Sequence, residues 1–200
     1  MTIEQLSQKA QTYKQMKRFK TIGQNIKNNA DELVDVCIST GLRIWGFYIE
    51  VRKNGKAIAF IKVGLVDRER LVSRNRVVDV LVDELWVDAN ERRKGHATIL
   101  FKYLLKELED KANTRCRIRP IIYRSLYGRL ITGDKIQGNW NKSLPFYKSL
   151  PSKNLSDKYC LGECVFYGNN TAYKSGSDFV ENCDNGQFEY KISENNFKQY

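Results

Sequence analysis

A basic run that ends in glycine stands between an apolar, strand-like segment and an amphipathic helix. The run is Arg92–Gly95, which reads Arg-Arg-Lys-Gly, and His96 and Ala97 follow it. The first N–H groups of a helix have no partner inside the helix, and together with the helix dipole they attract an anion. A glycine at that point lets a phosphate approach the backbone closely. The spacing therefore predicts a diphosphate site where a strand, a turn and a helix meet.

The pattern of glycines excludes two other kinds of phosphate site. The sequence contains no Gly-x-x-x-x-Gly-Lys-Ser/Thr, the pattern of a P-loop. It also contains no Gly-x-Gly-x-x-Gly, the pattern of a dinucleotide-binding turn. For this segment taken alone, the alternative is a basic turn before an ordinary helix.

Hydrophobic periodicity and turn residues assign the elements around this turn. Strands are predicted at 44–52, 57–66 and 77–87, and Asn54-Gly55 predicts a type I′ turn that joins the first two. The basic turn leads into a helix at 94–111. The other predicted helices are at 6–17, 31–39 and 141–150. The other predicted strands are at 19–22, 115–123, 159–167 and 187–192.

Strands and helices interleave along the chain, so the predicted fold class is α/β or α+β with a mixed sheet. Pro120 falls inside the strand predicted at 115–123. Because proline cannot donate to a strand ladder, we expect this strand to be an edge strand, bulged, or splayed from its neighbour.

The composition is that of a folded chain with an excess of positive charge. Apolar residues make up 42% of the 200 residues, which excludes a wholly disordered chain. Lys and Arg number 34 and Asp and Glu 23, so the net charge of +11 suits a phosphate-rich cofactor, a nucleic acid or an acidic surface. No stretch approaches about 18 apolar residues and the first residues lack an apolar signal core, so we expect neither a membrane span nor a secretory signal.

The five cysteines and the single histidine do not form a metal-binding pattern. The number of cysteines is odd, and apart from Cys160 and Cys164 they are far apart in the sequence. We therefore expect free, mostly structural thiols in a reducing cytoplasm, and no metal.

Two separate segments resemble motifs of one enzyme family. Leu85–Val87 followed by the turn Arg92–Ala97 resembles motif A of the GNAT superfamily of N-acetyltransferases, Gln/Arg-x-x-Gly-x-Gly/Ala. Asn141–Tyr147 resembles the family's Asn…Phe-Tyr segment on the helix after the fifth strand. The order of predicted elements over residues 20–168 is also the family's order. The resemblance implies a mixed, mostly antiparallel central sheet flanked by helices, with a splay between the fourth and fifth strands.

The resemblance implies acetyl-CoA as the cofactor. Backbone groups of Leu85 and Val87 would pair with the pantetheine arm, and Asn141 would contact the cofactor near it. The amides from Arg93 to Thr98 would hold the diphosphate. The implied cofactor contacts are Leu85, Trp86, Val87, Arg92, Arg93, Lys94, Gly95, His96, Ala97, Thr98 and Asn141. His96 replaces a small or aliphatic residue of the motif, and we expect it to face solvent rather than to shield the diphosphate.

Catalytic roles are implied as well. Tyr147 matches the family's general acid, whose O–H protonates the leaving thiolate without being charged beforehand. The alternative is that Tyr147 only packs. In relatives that acetylate small cationic amines, an acidic pair precedes this Leu-x-Val segment. Asp83 is therefore the candidate base or amine anchor and Glu84 a candidate substrate contact, while an ordinary ion pair is the alternative for Asp83.

On an unbroken strand, successive side chains point to opposite faces. One face of the predicted strand would carry Asp79, Leu81, Asp83 and Leu85. The other face would carry Val80, Val82, Glu84 and Trp86.

Four classes of function are compatible with these motifs. A small cationic amine acceptor is favoured by Asp83, Glu84 and a C-terminal segment, residues 170–200, of net charge −2. A macromolecular acceptor (a protein lysine, an N-terminus or a charged RNA) is favoured by residues 111–148, where nine basic residues and one acidic residue give +8. The third class is a GNAT-like fold that binds nucleic acid or protein without catalysis, and the fourth is a purely structural domain. Gly95, Asn141 and Tyr147 together argue against the last two.

Part of the basic region forms an alternating pattern. Arg115, Arg117 and Arg119 would line one face of the strand at 115–123 and follow the phosphates of a nucleic acid. The alternative is a solvated face with contacts to the cofactor's own phosphates.

The predicted organisation is one acetyltransferase domain with a short addition. Residues 1–169 form the domain, which begins with a basic helix, and residues 170–200 form a C-terminal extension that adds one strand. We expect a cytoplasmic protein without membrane contact, and a homodimer stays open. The connector at 125–140 is longer than the family's usual link and is a candidate substrate loop, and Leu150-Pro151 stands where Gly-Phe is usual.

Overall fold

A large mixed sheet forms the centre of the fold, and helices pack against it. The computed structural model describes residues 19–40, 46–67, 76–115, 121–130, 138, 140–169, 171–175, 178–179, 181, 183 and 186–195. The strands are β1 (Lys20–Lys27), β2 (Leu33–Thr40), β3 (Gly46–Lys53), β4 (Lys56–Asp67), β5 (Arg76–Val87), β6 (Ile121–Leu130), β7 (Tyr159–Leu161), β8 (Val165–Gly168), β9 (Thr171–Tyr173) and β10 (Gly186–Glu194). The helices are α1 (His96–Arg115) and α2 (Trp140–Ser149), and a 3-10 turn at Ala89–Glu91 precedes α1.

The strand order confirms the predicted fold class. It runs β1-β2-β3-β4-β5-β6-β10-β8-β9, with β7 paired to β10 outside this path. All described pairs are antiparallel except β5 and β6, which are parallel. A parallel pair needs a crossover, and α1 provides it.

The hairpin of β3 and β4 forms as predicted. Asn54 and Gly55 have φ angles of 51° and 76°, the left-handed values that a type I′ turn requires at both central positions. The turn therefore fixes the register of the two strands that lead to β5.

The helix predicted at 31–39 is wrong, because residues 33–40 form strand β2. Strand β2 pairs with β1 on one side and β3 on the other. Its β-branched residues Val34, Val36 and Ile38 are buried. Branching at Cβ stiffens the side chain and suits a sheet once both neighbouring strands are present. The strand predicted at 19–22 is present and longer, as β1, whereas the helix predicted at 6–17 lies outside the described residues.

The strand predicted at 115–123 lies further along the chain. Helix α1 continues to Arg115, and β6 begins at Ile121. An arginine stripe on one strand is therefore wrong for Arg115, while Arg117, Arg119 and Pro120 lie outside the described residues. Residues up to Leu130 belong to β6, so the connector before α2 is shorter than predicted.

The C-terminal half extends the sheet beyond β6. The single strand predicted at 159–167 is two strands, β7 and β8, and both pair with β10. The strand expected within residues 170–200 is present as β10, which lies between β6 and β8. The domain boundary at residue 169 stays a prediction.

The two faces of the sheet differ in chemistry. The helix face carries Ile61, Val63 and Val82, which are buried in one core with Leu100 and Leu104 of α1. On the opposite face, called here the aromatic face, Tyr48, Phe60 and Trp86 of neighbouring strands form a stacked row with ring centroids 5.0 and 5.5 Å apart. Helix α1 therefore covers one face of the sheet, and the aromatic row lies on the other.

The described cysteines are thiols and not disulfides, as predicted: Cys37, Cys160, Cys164 and Cys183. Within the described part of the chain, neither helix has the length and apolar character needed to cross a membrane.

Candidate active site

The predicted strand, turn and helix meet at residues 87–96. Strand β5 ends at Val87, and Arg93 and Gly95 have φ angles of 66° and 86°. Helix α1 begins at His96, and an early bond of its backbone runs from the Ile99 N–H to the Gly95 carbonyl, at 3.1 Å. The N–H groups of residues 96–98 precede that bond and have no acceptor within the helix. They are the groups that the sequence predicts for the diphosphate.

The turn between β1 and β2 holds this basic turn in place. The Asn29 N–H donates to the Lys94 carbonyl at 3.0 Å. A Cβ atom on Gly95 would lie 2.7 Å from the Asn29 Oδ1 atom. The glycine is therefore required both by its positive φ and by the close approach of Asn29, a contact between residues far apart in the sequence.

A cluster of four charged side chains surrounds the same turn. Glu32 accepts from Lys53 at 2.7 Å and from Lys94 at 3.2 Å, and Glu91 lies 3.0 Å from Lys94. Hydrogen bonds, first from Lys53 and then from Asn28 and Lys94, lower the pKa of Glu32 to about 2. The Lys94 ammonium is thus paired with carboxylates, and Arg92 and Arg93 are the exposed cations of the turn.

His96 is buried, with 1% of its surface exposed, so the expectation that it faces solvent is wrong. Its Nε2 atom lies 3.4 Å from a Glu91 oxygen, and its Nδ1 atom has no partner among the described residues. The reason is tertiary, since Glu32 of the β1–β2 turn lies over the start of α1, within 4.8 Å of both groups. Lys53 and Lys94 already neutralise the two carboxylates that a metal ion would need.

The Glu32 ion pairs predict a loss of stability in acid. A carboxyl whose folded pKa is depressed from 4.5 to about 2 stabilises the fold above its unfolded pKa, and this contribution is lost as the pH falls through that interval. We expect the melting temperature of the Glu32→Gln variant to vary less with pH between 4.5 and 2 than that of the parent protein. Thermal melts over that range measure it.

The control for this prediction is Asp31→Asn, which removes an exposed carboxylate 3.7 Å from Lys27. Exposed pairs contribute little, so its melting profile should follow that of the parent. Parallel profiles for the parent and Glu32→Gln would contradict the proposed contribution of Glu32.

Strand β5 has a β-bulge at Asp83, which overturns the predicted assignment of its faces. Lys62 of β4 pairs with Glu84 and Val63 pairs with Val82, so Asp83 is an extra residue. Beyond the bulge, Leu85 joins Val82 on the helix face. Glu84 and Trp86 lie on the aromatic face, with Asp79 and Leu81 rather than with Val80 and Val82.

The ladder between β5 and β6 ends just before this bulge. Its last described pair is Val82 with Gly128, and no described pair joins residues 83–87 to β6. A Cβ atom on Gly128 would lie 2.7 Å from the Phe188 ring and 2.9 Å from the Val82 carbonyl. Among the described residues, Leu85–Val87 therefore pair with a strand on one side only, which is β4. Their other side is where an extended ligand could add as a strand. The Arg92 side chain donates to the Val87 carbonyl at 3.3 Å. The full splay stays a prediction.

The predicted acidic residues lie beside this end of the ladder. Asp83 forms an ion pair with Lys62, and both side chains are about half exposed. Glu84 lies across from Lys62 on β4. Burial and the negative charges of Glu50 and Glu84 raise the pKa of Tyr48, which indicates that these carboxylates lie close to the aromatic row.

The structure places Tyr147 on α2 with its ring buried on the helix face. The ring stacks on Phe188 of β10 at 4.2 Å, and it meets Phe101 of α1 edge-on at 6.5 Å. The Tyr147 carbonyl accepts from the buried Tyr190 hydroxyl at 2.7 Å. Asn141 is exposed on the same helix. The Tyr147 ring thus packs in the core, and the general-acid role of its hydroxyl stays a prediction.

Sequence reasoning missed a cation at the start of α1. The Lys153 ammonium, from the turn after α2, lies 3.2 Å from the Thr98 hydroxyl. Nothing in the sequence pairs these residues, because folding alone brings the end of α2 to the beginning of α1.

The residues present fit a pyrophosphate-containing cofactor. Backbone N–H groups at the start of α1, the tight turn at Gly95 and the nearby cations Arg92, Arg93 and Lys153 form the donor set that a diphosphate requires. The unpaired side of Leu85–Val87 offers backbone groups to an extended amide chain.

Solved structures that are similar to parts of this chain include three acetyltransferases. One from Vibrio fischeri is 20% identical over 43% of this chain and 62% of its own, with a TM-score of 0.35. An aminoglycoside acetyltransferase from an uncultured soil metagenomic sample, in complex with sisomicin, is 13% identical over 51% of this chain and 58% of its own, with a TM-score of 0.35. NAA60 of Arabidopsis thaliana, in complex with acetyl-CoA, is 12% identical over 74% of this chain and 76% of its own, with a TM-score of 0.39. This chain spans less than two thirds of the length of the first two of these proteins.

Comparison with curated proteins gives no match. The family described as Acetyltransferase (GNAT) matches residues 18–119, which include β1 to β5, the basic turn and α1. Because this match covers just over half of the 200 residues, the chain belongs to the acetyltransferase (GNAT) family.

Proposed function

We propose that this protein transfers the acetyl group of acetyl-CoA to a primary amine by direct attack, and that the acceptor is a small cationic amine. The end of the β5–β6 ladder carries the proposal. The last pair, Val82 with Gly128, is followed at once by the bulge at Asp83. The unpaired side of β5 and the candidate base therefore lie at one point.

The cofactor lies on the helix face in this proposal. Backbone groups of Leu85–Val87 pair with the pantetheine, beside Trp86, and Asn141 contacts the cofactor near it. The diphosphate is held by the amides of residues 93–98, the turn that includes Lys94, His96 and Ala97. Support comes from the positive φ of Gly95 and from the Lys153 ammonium, which bonds to the Thr98 hydroxyl at the start of α1.

The acceptor approaches from the aromatic face. Asp83 anchors the ammonium and takes its proton, directly or through water, because only the free amine attacks the thioester. The β5 backbone polarises the carbonyl, and Tyr147 protonates the departing thiolate. Glu84 lies beside the same point and contributes to binding a cation.

A macromolecular acceptor is the second candidate, favoured by the net charge of +8 in residues 111–148. Within that region Arg124 is committed to the sheet, because its guanidinium bonds to the buried Asp79 at 2.7 and 3.0 Å. A catalytically inactive binding protein would instead show strongly salt-dependent binding and no transfer.

The organisation proposed from the sequence accompanies this function. Residues 1–169 form the acetyltransferase domain, and residues 170–200 extend it and supply β10, on which Tyr147 packs. We place the protein in the cytoplasm, without membrane contact, and leave a homodimer open.

The test is transfer of labelled acetyl from acetyl-CoA into a cell extract, which is then separated into small-molecule, protein and RNA fractions. Label in the small-molecule fraction is expected, and it should fall sharply with the Tyr147→Phe variant. Label confined to protein or RNA would replace the small amine with a macromolecular acceptor. No label in any fraction, despite measured acetyl-CoA binding, would contradict the proposed activity on these extracts.

A further inference from the structure

The side chain of Lys62 places an alkylammonium group against Asp83, the candidate base. Its side chain reaches from β4 to the Asp83 carboxylate at the bulge of β5, and the side chains are 44% and 49% exposed. A primary amine on a flexible stem, held by a carboxylate, is the chemistry proposed above for the acceptor. The protein thus carries an internal group that matches its proposed substrate.

The position of Lys62 along β4 brings this amine to the proposed site of the thioester. Lys62 lies across from Glu84, and the neighbouring Val63 lies across from Val82, the last β5 residue paired with β6. In the proposed function, the pantetheine follows β5 from Val87 towards the bulge, so the thioester lies where the ladder ends. Lys62 reaches that point from the aromatic face, opposite the helices.

We propose that Lys62 is a self-acetylation site, modified by the acetyl-CoA bound to the same chain. This inference rests on the proposed function and names a further acceptor for that site.

The reaction balances without another reactant. The Lys62 ammonium gives one proton to solvent by way of Asp83, and its nitrogen forms a bond to the thioester carbonyl carbon. The carbon–sulfur bond breaks, coenzyme A leaves as a thiolate that takes up a proton, and the nitrogen loses its second proton to become an amide. Acetylation removes the positive charge that Lys62 places on Asp83.

The exposed ion pair does not hold Lys62 permanently in one position. Pairs exposed to this extent contribute little to stability, because solvent screens them and both side chains are flexible. Breaking the ion pair with Asp83 therefore costs little, and an external amine competes with Lys62 for the same carboxylate.

The test incubates the full chain with excess acetyl-CoA, without added amine, and locates acetyl groups by peptide mass spectrometry. We expect Lys62 to be modified ahead of the exposed Lys56 and Lys102, at a first-order rate that does not change with protein concentration. Lys62→Arg keeps a cation on Asp83 but removes the nucleophile, so it should abolish the modification at this position. The matched control Lys102→Arg should leave it unchanged, and Asp83→Asn should slow it roughly 10²-fold, the usual scale for loss of a general base.

Each other outcome overturns the inference. Equal modification of Lys56, Lys62 and Lys102 would indicate spontaneous chemistry, and a rate that rises with protein concentration would indicate transfer between molecules. If acetyl-CoA binds and added amines are acetylated while Lys62 stays unmodified, the inference alone fails. If calorimetry shows that acetyl-CoA does not bind at all, the proposed function fails with it.

Discussion

The Gly95→Glu variant is expected to lose acetyl-CoA binding. The new carboxylate would stand at the start of α1, where the free N–H groups of residues 96–98 face the proposed diphosphate. Placing like charges together costs several kcal/mol, so affinity should fall by roughly 10²-fold or more. Isothermal calorimetry with acetyl-CoA measures the change.

The sequence alone predicts that this variant keeps its fold, and the structure adds a local cost. Gly95 has a φ of 86°, and a Cβ there would lie 2.7 Å from Asn29 Oδ1, so the turn must shift. Gly55→Glu is the matched control, because its φ is 76° and nothing lies within 4 Å of the added Cβ. That variant should show the strain of a positive φ and still bind acetyl-CoA.

A second variant separates crowding from charge. Asn29→Gly combined with Gly95→Glu removes the side chain that the new Cβ would meet. The backbone N–H at position 29 can still donate to the Lys94 carbonyl. We expect this double variant to recover part of the melting temperature and none of the binding. Normal titration of acetyl-CoA into either Gly95→Glu protein would mean that the diphosphate site is misplaced.

The Tyr147→Phe variant is expected to lower turnover by roughly 10- to 10³-fold, the usual contribution of a general acid. Acetyl-CoA affinity should be nearly unchanged, since the diphosphate and pantetheine contacts are made by other residues. Phenylalanine keeps the ring that stacks on Phe188 at 4.2 Å and the carbonyl that accepts from Tyr190. Thiol release under saturating acetyl-CoA and amine gives the rate.

Tyr103→Phe provides the matched control. Tyr103 is also largely buried against the sheet, but its hydroxyl lies over Gly23 of β1. Strand β1 is an edge strand, separated from β5 by three strands, so this hydroxyl is far from the proposed reaction point. Its turnover should equal that of the parent protein. An unchanged rate for Tyr147→Phe would remove its hydroxyl from the mechanism and leave only its packing role.

Local sequence signals determined the elements that surround the site. Asn54-Gly55 predicted the hairpin because few residue pairs tolerate two successive positive φ angles. The apolar run before Arg92–Gly95 predicted a strand, a turn and a helix, and the structure forms β5 and α1 there. Both predictions depend on backbone geometry within a few residues.

Signals of the same local kind failed where neighbouring strands decided the outcome. Residues 33–40 satisfy a helical spacing, yet they form β2 because β1 and β3 pair with both of its edges. The register of β6 follows from its pairs with β5 and β10, which no window of sequence contains. The predicted assignment of β5 side chains to the two faces failed for the same reason, since the bulge at Asp83 appears only in the pairing with β4.

The sequence by itself determined the family motifs, the basic turn with its glycine, and the candidate residues Asp83, Asn141 and Tyr147. Only the tertiary structure decided that Asn29 and Glu32 support the turn, that His96 is buried and that Lys62 contacts Asp83. Backbone preferences act over a few neighbouring residues, so they can be read from the sequence. Contacts between distant side chains depend on strand order and register, which are fixed only when the whole sheet forms.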